Sequence, residues 1–224
     1  MNNIYLLGDT HGYMNTIVQM IQKEDIHDDV VIILGDFGFI WNGDTKGLFK
    51  LQKRFEQRNC MLAFIDGNHE NFERLYKYPT ETWNGGQIHR IAANIVHLMR
   101  GEVFTIFGKT FFAMGGANSI DKESRVNRIH WWAEEDITYA DMENANKNLA
   151  LCGDTVDYVL THTCPLEVKK AMKMKIEYDN SNEQKLQMIA DVLTFDWWYF
   201  GHYHKDWVYD KYTCLWQDYE KIAL

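Results

Sequence analysis

Proline is almost absent from this sequence: Pro79 and Pro165 are the only two in 224 residues. No Gly/Ser-rich stretch and no block of like charge marks a linker, and a chain of this length can bury one substantial core. A single α/β domain over residues 1–224 is expected. Paired cysteines are missing too. Cys60, Cys152, Cys164 and Cys214 lie far apart with no C-x-x-C spacing, which argues against a disulfide framework and predicts buried free thiols. No run of about 20 apolar residues occurs, and Met1-Asn2-Asn3 leads into Ile4-Tyr5-Leu6-Leu7 with no basic, then long apolar, leader. Membrane insertion and export are not expected; the cytoplasm is the expected compartment. An excess of positive charge is also lacking, since 23 Lys+Arg against 32 Asp+Glu give a formal net charge of −9. Such a chain repels a phosphate backbone at long range, so broad nucleic-acid binding is not expected. A single phosphoryl group can still be met by a locally cationic pocket of the kind that bound metal ions create.

Glycine-rich phosphate cradles are likewise missing. Gly108-Lys109-Thr110 ends like a P-loop, but the glycine required five positions before Gly108 is Val103, and no helical pattern follows. Gly85-Gly86 and Gly115-Gly116 lack dinucleotide-fingerprint spacing.

What the sequence does contain is a series of short apolar runs ending in polar, mostly glycine-containing turns. Ile4–Leu7 precedes Gly8-Asp9-Thr10-His11-Gly12, Val30–Leu34 precedes Gly35-Asp36, and Met61–Ile65 precedes Asp66-Gly67-Asn68-His69. Tyr158–Leu160 precedes Thr161-His162, and Trp197–Phe200 precedes Gly201-His202-Tyr203-His204. Uninterrupted apolar runs of this length suit strands buried on both faces. Helical spacing lies between them: Ile17, Val18, Met20 and Ile21 within Met14–Glu24, then Leu48, Leu51 and Phe55, and later Leu186, Ile189 and Val192 within Glu183–Leu193. Val103–Phe107 and Thr110–Met114 flank Gly108-Lys109, which predicts a hairpin and with it a second, partly antiparallel sheet. The alternation is that of an α/β protein.

Gly-Asp occurs four times, and position separates the copies. Gly43-Asp44 and Gly153-Asp154 sit in turns or after a helical stretch, where glycine caps and aspartate turns are ordinary. Gly8-Asp9 and Gly35-Asp36 follow buried strands, where open α/β sheets bind ligands. Of nine histidines, His11, His69, His162, His202 and His204 also follow apolar strands, whereas His27, His89, His97 and His130 do not and receive no role. Together with Asp9, Asp36 and Asn68 the five converge on one sheet edge. Carboxylate and imidazole donors without cysteine suit Mn²⁺, Fe or Zn²⁺ better than Ca²⁺. The set is too large for one tetrahedral ion and about right for two, with a carboxylate bridging. A divalent pair keeps net positive charge beside two aspartates, depresses the pKa of a bridging water and attracts a phosphoryl group. Metal-assisted phosphoester hydrolysis by a metal-bridging hydroxide is the chemistry expected.

Gly8-Asp9-Thr10-His11-Gly12, Gly35-Asp36, Gly67-Asn68-His69-Glu70, His162 and Gly201-His202-Tyr203-His204 resemble, in order, the motifs of the calcineurin-like metallophosphoesterase superfamily. The resemblance implies two packed mixed β-sheets flanked by helices, a four-layer αββα sandwich. It implies that Asp9, His11, Asp36 and His204 hold one metal and that Asp36, Asn68, His162 and His202 hold the second, with Asp36 shared. It implies that His69 contacts the phosphate and protonates the leaving oxygen. Two divalent ions, Mn²⁺ first and Fe or Zn²⁺ as alternatives, and a small phosphomonoester or phosphodiester substrate are the corresponding expectations.

One departure stands out. Members that resemble Ser/Thr protein phosphatases continue the second motif with an aspartate and an arginine where this chain has Phe39 and Ile40. Another group must orient His69, and Glu70 is expected to begin a helix over Glu70–Tyr76, whose positive end favours it. Lys122, Arg125 and Arg128 beside Trp131 and Trp132 have two readings. Arg125 and Arg128 clamp substrate phosphate over the metals, or the segment is a solvated helix face with its tryptophans on the sheet; the second is favoured, because surface arginines are often idle. Two rival functions remain beside hydrolysis of a small phosphoester: a nuclease acting on nucleic-acid ends, and a non-catalytic scaffold on the same fold. The acidic balance weighs against the first, and the complete donor set against the second.

Overall fold

The computed structural model describes residues 2–43, 45–119 and 121–223. The first half alternates β1 (Asn3–Leu7), α1 (Met14–Glu24), β2 (Val30–Leu34), α2 (Thr45–Glu56), β3 (Met61–Ile65) and the short α3 (Phe72–Leu75). Five strands follow: β4 (Thr80–Trp83), β5 (Gly86–Ala92), β6 (Ile95–Leu98), β7 (Glu102–Ile106) and β8 (Lys109–Met114). Then come α4 (Tyr139–Leu151), β9 (Thr155–Thr161), α5 (Leu166–Ala171), α6 (Ser181–Ala190) and β10 (Thr194–Phe200). β11 (Trp207–Tyr209), β12 (Tyr212–Cys214) and β13 (Tyr219–Ala223) complete the chain.

One sheet has the order β13-β1-β2-β3-β6-β5-β4 and the other β11-β12-β10-β9-β8-β7. In the first, β1, β2, β3 and β6 run parallel, with antiparallel partners at both margins. In the second, β8, β9, β10 and β12 run parallel between antiparallel β7 and β11. Both sheets are mixed, as expected. The apolar runs are continuous because each strand face has its own core. Ile4, Leu6, Ile32 and Leu34 meet Phe104, Phe111, Leu160 and Tyr199 between the sheets. Tyr5, Leu7, Val31 and Ile33 point the other way, onto Ile17, Ile21, Leu51 and Phe55 of the first helices. Phe112, Val159, Trp198 and Phe200 do the same against Leu149, Val168, Leu186 and Ile189. Alternation along the central strands thus feeds two apolar layers, at roughly 1.5–3 kcal/mol per fully buried large side chain.

Several local expectations shift. The hairpin turns on Phe107-Gly108, one residue earlier than expected, because Ile106 pairs with Lys109. Both turn residues have positive φ, 50° and 83°, which a two-residue turn of the primed type demands. The helix expected from Glu70 starts at Phe72, capped by the Asn71 side chain, which accepts from the Arg74 N–H at 3.1 Å. α6 ends at Ala190, leaving Val192 exposed. All four cysteines are free, but Cys152 is only half-buried. No helix among the described residues is long and apolar enough to cross a membrane.

The turn after β3 is anchored from below. Asp66 is buried and accepts from Arg100 Nε at 2.9 Å and again from its Nη2 at 2.5 Å, while His97 Nε2 stands 3.1 Å away. Burial opposes its charge, but Arg100 and then His97 hold the carboxyl well below the usual carboxylate range. Arg100→Ala leaves that carboxylate buried without its cation, a change that typically costs about 3–5 kcal/mol. Urea unfolding of the chelator-treated protein checks this, and a loss below about 1 kcal/mol would show that the pair is dispensable.

Candidate metal centre

The C-terminal ends of β1, β2 and β3 in one sheet and of β9 and β10 in the other meet along one edge, and their turns carry the residues singled out in the sequence. Backbone bonds lock the turns together: the Asp36 carbonyl accepts from the N–H groups of Thr10 and His11 at 3.2 and 2.7 Å. The His69 N–H donates to Asp36 Oδ1 at 2.7 Å, and the His202 N–H donates to Asp9 Oδ1 at 2.9 Å. Two glycines permit the approach. A Cβ on Gly35, already at φ 92°, would lie 2.1 Å from His162 Nδ1, and one on Gly67 would lie 2.1 Å from Asp36 Oδ1. His11, Asp36, His202 and His204 all adopt positive φ, between 46° and 66°. For residues with a Cβ this conformation is unfavourable, and such positions cluster at functional sites.

The donors fall into two groups. His204 Nε2 lies 3.0 Å from Asp9 Oδ2 and 3.1 Å from His11 Nε2, and His11 Nε2 lies 3.8 Å from Asp36 Oδ2. His162 Nε2 lies 3.3 Å from both Asp36 Oδ1 and Asn68 Oδ1. Asp36 therefore turns one oxygen to each group. Asp9, His11 and His204 form one set of atoms close enough to share a cation, and Asp9, Asp36 and His162 a second. In the second set His162 Nδ1 lies 3.8 Å from Asp9 Oδ1. That nitrogen already donates to the Leu34 carbonyl at 2.7 Å. Asp36 and Asn68 are therefore the better partners for His162 Nε2. His202 stands edge-on to His162 with ring centroids 5.0 Å apart.

Does this set fit a metal? With Nδ1 committed to Leu34, a neutral His162 aims the Nε2 lone pair at two further acceptors. The Asn68 amide is turned the same way, because its Nδ2 donates to Ser119 Oγ at 3.1 Å and leaves Oδ1 facing inward. Asp9 Oδ2 is buried, and the nearest group to it across the site is His204 Nε2, 3.0 Å away. Lone pairs that converge in this way are satisfied by a positive charge between them, a metal ion or, without one, a proton on His162. The separations match donors that share an ion at about 2.0–2.2 Å. Electrostatics agree. Burial alone would lift Asp36, but His162 and the other imidazoles hold it far below the carboxylate range. Burial opposes charge on His162, yet Asp36 lifts it to about 10, so a proton occupies the place suited to a positive ion. His202 is pushed down to about 3 by burial and by His162. The residues present fit a metal group.

His69 lines a cavity of about 420 Å³ with Asp36, Asn68, His202, His204 and Arg125. Its ring makes no hydrogen bond among the described residues; it packs edge-on to His11 at 5.2 Å and against Trp41 at 6.1 Å. Phe39 and Ile40 belong to the helix-side core. Glu70 is fully buried and accepts from the Phe37 N–H at 2.6 Å, so it serves the second turn and neither begins a helix nor orients His69. Arg125 reaches the cavity while paired with Asp121 at 2.8 Å. Arg128 does not: it lines a separate cavity with Ile40 and Arg74, its guanidinium 3.8 Å from Glu134. Among the described residues the segment around them forms no α-helix but a 3-10 turn at Lys122–Ser124, with another at Ala133–Glu135, and Trp132 is buried edge-on against Trp41. Ser119 and Trp216 complete the surroundings without any sequence signal, and Leu34 adds a backbone carbonyl from the end of β2. Asp44 lies outside the described residues.

The calcineurin-like phosphoesterase family matches residues 3–206. Among solved structures, the chain is similar to a candidate 5'-nucleotidase from Staphylococcus aureus in complex with alpha-ketoglutarate. That pair has 15% identity and a TM-score of 0.51, over 98% of this chain and 50% of the other. It is also similar to the NAD nucleotidase of Haemophilus influenzae, at 15% identity and a TM-score of 0.40, over 93% of this chain and 39% of the other. The chain thus spans about half the length of the first of these, and the likeness speaks for the fold. No curated protein matches the sequence at a significant level. The family match covers every motif-bearing turn from Asp9 to His204, and the chain belongs to the calcineurin-like phosphoesterase family.

Proposed function

We propose that this chain hydrolyses a small phosphomonoester or phosphodiester with two divalent ions, Mn²⁺ first among them. The observation that carries the reading is the inward convergence of donors without hydrogens, with Asp36 presenting an oxygen to each of two groups. Asp9, His11, Asp36 and His204 would hold one ion, and Asp36, Asn68, His162 and His202 the other. Such a pair supplies Lewis acidity toward the phosphoryl oxygens and lowers the pKa of bound water. The protein's own contribution is positional. Leu34 fixes the His162 tautomer, Ser119 fixes the Asn68 amide, and the Asp36 carboxylate holds the His69 backbone. Outer partners of this kind set ligand orientation and basicity. His69 faces the cavity without being needed as a ligand, which suits a phosphate contact and proton donor. Arg125, which lines this cavity, would meet substrate charge, whereas Arg128 lines a different cavity. The cavity volume of about 420 Å³ suits a small substrate.

Elemental analysis of protein loaded with Mn²⁺ should find two ions per chain. Chelation should abolish turnover of a panel of mono- and diesters, and Mn²⁺ should restore it. One ion or fewer at full activity would sink the binuclear reading.

A further inference from the structure

We infer that Trp216 is a positioning residue for His204, acting through a ring stack held in place by Asp206. The inference rests on the metal-site reading of His204. His162, its counterpart in the other group, is fully buried and braced by a hydrogen bond to Leu34. His204 has neither advantage. Its side chain is 48% exposed, its backbone sits at φ 49°, and no main-chain acceptor among the described residues receives its second ring nitrogen. Metal-binding histidines ordinarily have such an acceptor, which fixes the ring.

Trp216 stands in its place. The indole lies face to face with the His204 imidazole, centroids 3.9 Å apart and planes 18° from parallel. Its ring is also edge-on to His11 at 6.3 Å, so one aromatic backs both imidazoles of this group. A stack so close removes rotation about the last side-chain bond of an otherwise solvated ring.

The indole is itself anchored. Asp206, two residues after His204, accepts from the backbone N–H groups of Trp216 at 2.8 Å, Gln217 at 3.1 Å and Asp218 at 3.1 Å. The preceding Leu215 N–H donates to the Phe200 carbonyl at 2.9 Å, at the end of β10. Gly8 packs against this segment so closely that a Cβ there would come within 2.0 Å of the Leu215 carbonyl oxygen. The loop carrying Trp216 is thereby tied to the turns bearing both His204 and Asp9. Trp216 lies beyond residue 206, where the family match ends.

The test compares Trp216→Phe, which keeps a ring, with Trp216→Leu, which keeps apolar bulk without one. Free Mn²⁺ is followed by electron paramagnetic resonance during titration, so the readout is affinity and not turnover. In the leucine variant the weaker of the two sites should lose about 3–10-fold in affinity, and in the phenylalanine variant it should stay within about 3-fold of wild type. Equal affinity of the leucine variant and wild type would overturn the inference, as would equal losses in both variants. Wild-type protein that binds no Mn²⁺ would overturn the metal-site reading along with it.

Discussion

Asp36→Asn should lower kcat/KM by about 10²–10³-fold or more, the cost of removing one preorganised electrostatic element from a catalytic centre. Asp154→Asn, the same change after another glycine, should leave activity within about twofold. Asp36 is buried, places Oδ2 3.8 Å from His11 and Oδ1 3.3 Å from His162, and accepts the His69 N–H at 2.7 Å. Asparagine retains one oxygen at most and no charge, so it can serve one of the two groups but cannot offset the charge of both ions. Asp154 sits exposed after the C-terminus of α4, with Gly153 at φ 66°. It is a turn residue. Metal content separates two causes of an Asp36→Asn loss. If the variant still binds two ions at wild-type affinity and keeps its activity, the bridging reading is wrong. A loss that returns in millimolar Mn²⁺ locates the defect in affinity.

The contrast between Asp36 and Asp154 also shows what a sequence can disclose. Both follow glycine, and only the preceding residues differ: Val30–Leu34 is buried throughout, while Leu151 is exposed at the end of a helix. An unbroken apolar run marks a strand with a core on each face, and the residue after it stands at the sheet edge. That inference extends to Asp9, Asn68, His162 and His202, which is why the donors were legible. It fails for residues whose role depends on distant pairing. Nothing near Trp216 in the sequence reveals that β12 returns beside β10 and lays the indole on His204. Ser119 and Arg100 act through side-chain contacts across the fold, with no period or motif to mark them, and the Leu34 carbonyl acts from the end of an apolar run that does not reveal its partner. Glu70 misled for the opposite reason. Its position before a helical pattern favoured a helix start, but tertiary contact drew it inward to the Phe37 N–H. Arg125 and Arg128 are indistinguishable in sequence; only the fold directs Arg125 to the cavity and Arg128 to within 3.8 Å of Glu134.

His69→Ala should slow alkyl or nucleoside phosphoesters by about 10²–10⁴-fold, the usual worth of general acid–base catalysis, and nitrophenyl esters far less. A proton donor matters in proportion to the basicity of the leaving oxygen, and a nitrophenolate leaves with little help. The geometry allows the role: the ring lines the cavity, while its backbone N–H is committed to Asp36. No carboxylate among the described residues braces its ring. Phe39 and Ile40 face the core, Glu70 faces Phe37, and the ring is held instead by His11 and Trp41. Burial first, and the nearby Arg125 among the opposing charges, lower its pKa from the ordinary histidine value, partly offset by Asp36. A lowered pKa makes the protonated ring a stronger acid but a scarcer one near neutral pH. The advantage of wild type over His69→Ala on alkyl esters should therefore be largest in mild acid and shrink as pH rises. His162→Ala, by contrast, should lose metal and slow every substrate together. If His69→Ala slows nitrophenyl and alkyl esters equally at every pH, while both ions remain bound, the ring contributes charge or placement and transfers no proton.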